Sequence, residues 1–180
     1  MTVDESRRFN LLSLADLAMA ATAVDSSGRA LAIWTRGFRS GGRPDLSWSQ
    51  YRPGTGWSAE ASVRSLPLAA DARSSSLALS IRNSGAGWAA WQQPDGLFAA
   101  GFDPVTGWAA PIRVDPVGTS FGNPQDRLAL QVDRNGNALL IWRAFGDGAT
   151  QFWFSTLDGA SGLWTPAAAI ADTRVDCHVA

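Results

Sequence analysis

Lysine is absent from this 180-residue chain, and Cys, His and Tyr occur once each, at Cys177, His178 and Tyr51. A lone Cys forms no intramolecular disulfide, and one Cys beside one His builds no His/Cys metal cluster. A Ser-His or Cys-His nucleophile system would have to draw on His178, near the C-terminus, where chains are seldom held rigid. Glu is scarce too: only Glu5 and Glu60 accompany fourteen Asp. A glycosidase needs two carboxyl groups across one cleft, and most of these Asp fall in turn sequences, where capping accounts for them. The net charge is −1, so no global field draws the chain to nucleic acid or to an anionic membrane. No apolar run reaches membrane-spanning length.

What is abundant is tryptophan, nine residues, and their spacing is regular. Trp34, Trp91 and Trp142 are each preceded six residues earlier by Gly28, Gly85 or Gly136, and ten residues earlier by Val24, Ile81 or Val132. Trp57, Trp108 and Trp164 follow, and six residues beyond each lies Val63, Val114 or Ile170. Anchors recurring about every fifty residues mark tandem structural repeats.

Each copy reads as four short strands, A to D. Strand A alternates with one apolar face (Leu77, Leu79, Ile81; Leu128, Leu130, Val132). An Asp/Asn-Gly turn leads into strand B. Strand B is apolar on both sides: Ala30, Ala32 and Trp34 at one parity, Leu31 and Ile33 at the other. A strand apolar on both faces is covered on both faces. Its parities pair a small side (Ala30, Ala32; Gly87, Ala89; Ala138, then Leu140) with a bulkier one (Leu31, Ile33; Trp88, Ala90; Leu139, Ile141), as stacked blades require. The expectation is an all-β chain of three four-stranded antiparallel repeats, the blades of a partial or oligomer-completed β-propeller. The boundaries are an arm at 1–16, repeats at 17–65, 75–116 and 126–172, and a tail at 173–180.

The pattern V-D-x-x-G-x-A-L-x-x-W, with an aromatic strand and G-W after it, resembles repeats of bacterial propeller proteins of the sialidase-like and lectin-like kind. The resemblance spans about residues 17 to 172 and implies the fold. The sialidase Asp-box, S-x-D-x-G-x-T-W, is not matched. The stretch from Asp95-Gly96-Leu97 to Gly107-Trp108 is similar to fucose-binding propeller lectins, although the Arg and Glu that hold the sugar there have no consistent counterpart in the three copies.

Candidate sites follow from where the copies differ. The A–B and C–D turns are short and uniform and read as architectural. The B–C connections vary, and they share the opposite end with D–A connections carrying Arg64, Arg73, Asp115, Asn123 and Gln125. Binding residues gather on loops held by a rigid scaffold, so Arg36, Arg39, Arg43 and Arg143 are the candidate ligand-binding residues. Trp48, Trp88 and Trp153 lie off the repeat anchors, and Trp48 and Trp153 join the arginines as stacking platforms. Tyr51 occupies the position of Phe102 and Leu157 and reads as structural. Asp133-Arg-Asn135-Gly136-Asn137 has the oxygen spacing of a calcium-loop fragment, but its equivalents lose those oxygens and a capped turn accounts for it. No catalytic residue, metal ligand or cofactor is assigned.

The expected function is a non-catalytic binding or assembly module, with carbohydrate as the ligand class. The alternatives are a fragment of a glycoside hydrolase-like propeller enzyme whose catalytic residues lie in other blades, or a purely structural repeat domain. Apolar end blades imply self-association into a six-bladed ring, or further blades of a longer chain, as partner. The compartment is left open. Ser6-Arg7-Arg8-Phe9 and the leucines after it loosely resemble a twin-arginine export signal, but Asp16 interrupts the apolar stretch.

Overall fold

The computed structural model describes residues 17–36, 46–63, 76–93, 96–116, 128–146 and 149–170. Among them there is no helix. The first sheet comprises β1 (Leu17–Val24), β2 (Ala30–Arg36), β3 (Leu46–Arg52), β4 (Gly56–Trp57) and β5 (Ala61–Ser62). The second comprises β6 (Leu77–Ile81), β7 (Gly87–Gln93), β8 (Gly96–Asp103), β9 (Gly107–Trp108) and β10 (Ile112–Arg113). The third comprises β11 (Leu128–Val132), β12 (Ala138–Gly146), β13 (Ala149–Asp158), β14 (Leu163–Trp164) and β15 (Ala168–Ala169). Each is an antiparallel meander in chain order, and the chain has the architecture of propeller blades.

The fourth strand differs from the expected single segment: in every blade it is two short pieces on the third strand. Tyr51 pairs with Trp57 while Trp48 pairs with Ala61. Phe102 pairs with Trp108 and Ala99 with Ile112; Leu157 pairs with Trp164 and Trp153 with Ala169. In each case the outer strand carries one residue more than its partner, which is a β-bulge. The extra residue is held in place: Ser49 Oγ donates to the Ser58 carbonyl at 2.9 Å, and Ser155 Oγ to the Thr165 carbonyl at 2.7 Å. Ala100 takes this position in the second blade.

Asp side chains close two of the three A–B turns. Asp25 Oδ1 accepts from the amides of Ser27 at 2.8 Å and Arg29 at 3.0 Å. Asp133 Oδ1 accepts from those of Asn135 at 2.8 Å and Asn137 at 2.9 Å. Gly28 and Gly136 follow with φ of 77° and 91°, a left-handed conformation that a side chain would strain. The second blade has Arg82 in place of the Asp, and there Ser84 Oγ accepts from the Ala86 amide at 3.3 Å.

Partners across strands share a sheet face, so the registers divide every blade into two. The front face carries Trp34, Trp91 or Trp142; the back face carries Leu31 and Ile33, Trp88 and Ala90, or Leu139 and Ile141. The back of blade 1 meets the front of blade 2 through Leu46, Trp48 and Val63 against Trp91, Phe98, Ala100 and Trp108. The back of blade 2 meets the front of blade 3 through Trp88, Ala90, Leu97 and Ala99 against Leu130, Leu140, Trp142 and Leu157. Edge-to-face ring pairs cross both boundaries: Trp48–Phe102 at 5.1 Å and Trp88–Trp164 at 5.4 Å between centroids, an arrangement worth about 0.5–1.5 kcal/mol beyond area burial. The first strands lie side by side, β6 approaching both β1 and β11. The amides of Leu128 and Val132 donate to Ser76 Oγ and Ser80 Oγ at 3.0 Å each, so the blades are also tied along their inner strands.

Bulk is traded across these boundaries. At the first, the back of blade 1 carries the pair Ile33–Trp48 and the front of blade 2 the pair Ala89–Ala100, and Trp48 and Ala100 share one cluster. At the second, Ala90 and Ala99 stand on the back and Leu140, paired with Ser155, on the front; Leu140, the exception to the small parity, packs in one cluster with Ala90 and Ala99. Burial of the anchor tryptophans is likewise uneven. Trp91 and Trp142 are 1% and 0% exposed, and Trp34 is half-buried. The described residues place no sheet in front of blade 1.

Candidate functional site

Two clefts open at the end of the blades where the A–B and C–D turns lie. The first, about 410 Å³, sits between blades 1 and 2 and is lined by Arg29, Leu31, Tyr51, Arg52, Ile81, Phe102 and Pro104, among others. The second, about 430 Å³, sits between blades 2 and 3 and includes Arg82, Trp88, Gly101, Phe102, Asp103, Trp108, Val132 and Leu157. They are structural equivalents. Leu31 in one corresponds to Trp88 in the other, Tyr51 to Phe102, and Ile81 to Val132, by identical registers. The repeat thus builds a repeated cleft whose floor is the blade boundary and whose rim is turn backbone.

The rims are basic. In the first cleft Arg29 Nε donates to Asp25 Oδ2 at 2.8 Å, and its Nη2 donates across the boundary to the Asn83 carbonyl. Arg52 Nη2 reaches the Pro104 carbonyl at 3.4 Å. Burial raises the Asp25 carboxyl pKa, but the donors from Ser27 and Arg29 together outweigh it and hold the group below its ordinary range. In the second cleft Arg82 extends toward blade 3, where a Cβ on Gly136 would lie 3.0 Å from its Nη1. Asp103 on the same rim is held ionised first by the amides of Thr106 and Val105, with the Arg82 charge adding to them. The indole of Trp88 lies over Gly101, where a Cβ would come within 3.3 Å of the ring. The absence of a side chain at Gly101 gives Trp88 its place.

The residues named from sequence are dispersed. Arg39 and Arg43 lie outside the described residues, as does the side chain of Arg36, whose backbone ends β2. Arg143 is half-buried on β12, paired with Phe152 on the back of blade 3. Trp48 belongs to the boundary between blades 1 and 2, and Trp153 packs beside Trp142 between blades 2 and 3. The clefts sit at the opposite end from the variable loops. Arg82, Arg29 and Arg52 stand at or beside the uniform turns that read as architecture, and Trp88, on β7, lies off the repeat anchors and is not among the residues named from sequence. One signal was available: Arg82 stands where the other copies have Asp25 and Asp133. Asp133, the centre of the calcium-like spacing, gives Oδ1 to two backbone amides and Oδ2 to Asn137 Nδ2 at 2.9 Å. Among the described residues no group of three or more His, Cys, Asp or Glu is placed to hold a metal ion.

No protein-family description and no curated sequence matches this chain. Among solved structures it is similar to the Hadza microbial sialidase Hz136, with a TM-score of 0.54 over 83% of this chain at 14% identity. At that identity the likeness shows a shared propeller-like fold. The chain spans 36% of the sialidase's length.

Proposed function

We propose that the chain is a non-catalytic binding module of propeller type whose inter-blade clefts take a neutral polyhydroxylated ligand, a glycan. The observation that carries this is the cleft between blades 2 and 3. Trp88 offers a ring bounded by Gly101, and Arg82 sets guanidinium donors on the rim beside it. An aromatic face packs against the C–H face of a sugar ring, and guanidinium N–H groups donate to hydroxyl oxygens. Hydrolysis has less support there. Among the residues lining this cleft Asp103 is the one carboxylate, engaged by its own turn amides, whereas retaining and inverting glycosidases use two.

A glycan array followed by calorimetry on the best ligand tests the reading. Arg82→Ala removes charge-assisted hydrogen bonds worth about 1.5–3 kcal/mol, so affinity falls roughly tenfold or more, and Trp88→Phe weakens binding with the fold intact. Arg143→Ala reports on the other end of the blades, the face indicated by the variable loops. Binding that survives Arg82→Ala and Trp88→Phe but is lost with Arg143→Ala moves the site to that end. No binding to any glycan sinks the carbohydrate assignment. The second reading, a portion of a propeller enzyme, is favoured by the sialidase likeness together with the 36% coverage; sialidase activity in the isolated chain would establish it.

A further inference from the structure

The two equivalent clefts differ in whether the arginines at their rims are already engaged. We infer that Arg29 and Arg52 are straps that close the cleft between blades 1 and 2 to ligand, and that the cleft between blades 2 and 3, where the strap is missing, is the open one of the pair. The ligand class rests on the glycan reading above; the division of labour between the clefts does not.

Three hydrogen bonds tie the turns of blades 1 and 2. Arg29 Nη2 donates to the Asn83 carbonyl, Arg52 Nη2 to the Pro104 carbonyl at 3.4 Å, and the Ser26 amide to Asn83 Oδ1 at 3.3 Å. Arg29 is also fixed from behind: its Nε donates to Oδ2 of Asp25 at 2.8 Å, and that side chain is fully buried. A guanidinium that left these acceptors for a ligand would strand a carbonyl and weaken the hold on a buried carboxylate. The turns of blade 3 bond instead to each other, the Gly159 amide donating to Asn137 Oδ1 at 3.0 Å. Among the described residues no hydrogen bond joins them to the turns of blade 2.

The difference is written in blade 2. The Asp25 amide donates to the Arg29 carbonyl at 2.9 Å and the Arg82 amide to the Ala86 carbonyl at 2.8 Å, so Arg82 stands for Asp25 and Ala86 for Arg29. Both members of the ion pair are gone. By register Asp103 stands for Arg52, Trp88 for Leu31 and Gly101 for Gln50. All five changed positions line the cleft between blades 2 and 3. Their effects run together: Ala86 and Gly101 remove bulk, Trp88 supplies a ring, and Arg82 supplies a cation. Both cleft arginines reach the turn glycine of the next blade. A Cβ on Gly85 would lie 3.8 Å from Arg29 Nη1, and one on Gly136 would lie 3.0 Å from Arg82 Nη1. Only Arg29 is bonded on arrival. Asp103, the carboxylate nearest in the rim of Arg82, gives Oδ1 to the Val105 and Thr106 amides at 2.8 and 3.0 Å. A half-buried guanidinium with open donors is the group that ligand oxygens satisfy.

Arginine modification by phenylglyoxal, mapped by peptide mass spectrometry on the whole chain, tests this without a ligand. Arg82 should react roughly tenfold faster than Arg29, whose guanidinium must first leave charge-assisted hydrogen bonds. Melting temperature is a second ligand-free measurement: Arg29→Ala should lower it by about 2–6 °C, and Arg82→Ala by less than half as much. The glycan carried forward from the array should then protect Arg82, and not Arg29, from the reagent. Equal reaction rates at the two arginines, an Arg82→Ala shift as large as that of Arg29→Ala, or protection of Arg29 by the glycan would overturn the inference. Failure of every glycan to bind would remove the ligand class alone, because the ranking of Arg82 against Arg29 still decides which cleft is open.

Discussion

Truncating Trp91 to alanine isolates what the blade boundary contributes. Trp91 is 1% exposed, and its ring stacks on Phe98 with centroids 6.3 Å apart and planes 20° from parallel. It belongs to the cluster that joins Leu46 and Val63 of blade 1 to Ala100 of blade 2, so removal opens a cavity walled by two sheets. Its Nε1 has no hydrogen-bond partner among the described residues, so the loss is of packing alone. Phe/Trp→Ala changes in cores cost about 3–5 kcal/mol. For a domain of this size each kcal/mol moves the melting temperature by about 2–4 °C, giving a fall of roughly 6–20 °C. Trp34→Ala at the equivalent position supplies the comparison. Trp34 is half-buried, with no described sheet before it, and its truncation costs less than half as much. Thermal unfolding followed by circular dichroism measures both. Equal shifts for the two variants, or a Trp91→Ala shift no larger than that of a surface substitution, would refute the reasoning.

Gly87→Ala places a Cβ 2.1 Å from the Ser80 carbonyl oxygen and 2.8 Å from the Ile81 Cα; the strands must part, and urea denaturation should show a loss at or above the upper end of the roughly 1–3 kcal/mol typical of overpacked cores, or a failure to fold. Gly54→Ala meets nothing within 4 Å and only the cost of φ at +83°, about 1–2 kcal/mol, so a Gly54 effect as large as that of Gly87 would contradict the geometry. Asp25, Asp103, Asp133 and Asp158 all have carboxyl pKa values lowered in the folded chain; their contribution is present above the unfolded value of about 3.9 and is lost as pH falls through the folded values. Melting temperature should therefore decline steadily on acidification below about pH 4, and Asp133→Asn, which does not titrate but keeps an acceptor oxygen, should flatten part of that decline; an unchanged profile would mean the turn carboxylates do not couple to folding.

The repeat was legible because each blade restates the same local chemistry: a turn glycine, an alternating strand and an anchor tryptophan at fixed offsets. Those features are set by neighbours close in sequence, and they locate strands A to C in all three copies. What depends on neighbouring blades was not legible. Trp34 satisfies every local criterion that Trp91 satisfies, yet burial is decided by the sheet in front of it. The bulge in the outer strand escaped notice because nothing in Ser58, Ala109 or Thr165 marks an extra residue; the mark is the pairing register. The clefts escaped because each is assembled from the turn of one blade and the strand of the next. Only the departure from the repeat at Arg82, set where Asp25 and Asp133 cap their turns, pointed toward them.

Departures from a repeat carry information that the repeat itself does not. If all three blades were identical, any front would fit any back, and the order of blades would be fixed only by chain connectivity. Here the exchange of Ile33 and Trp48 for Ala90 and Ala99, matched by that of Ala89 for Leu140, makes each boundary selective. A back with Ile and Trp set against Leu140 would overfill the space, and one with Ala90 and Ala99 set against Ala32 would leave a void; either mismatch costs about 1–3 kcal/mol or more. Blades 2 and 3 thereby each have a front and a back of different boundary classes, bulky back on small front or the inverse, and blade 1 does not. The selectivity inside the chain has one physical reason: bulk on one side of a boundary needs room on the other.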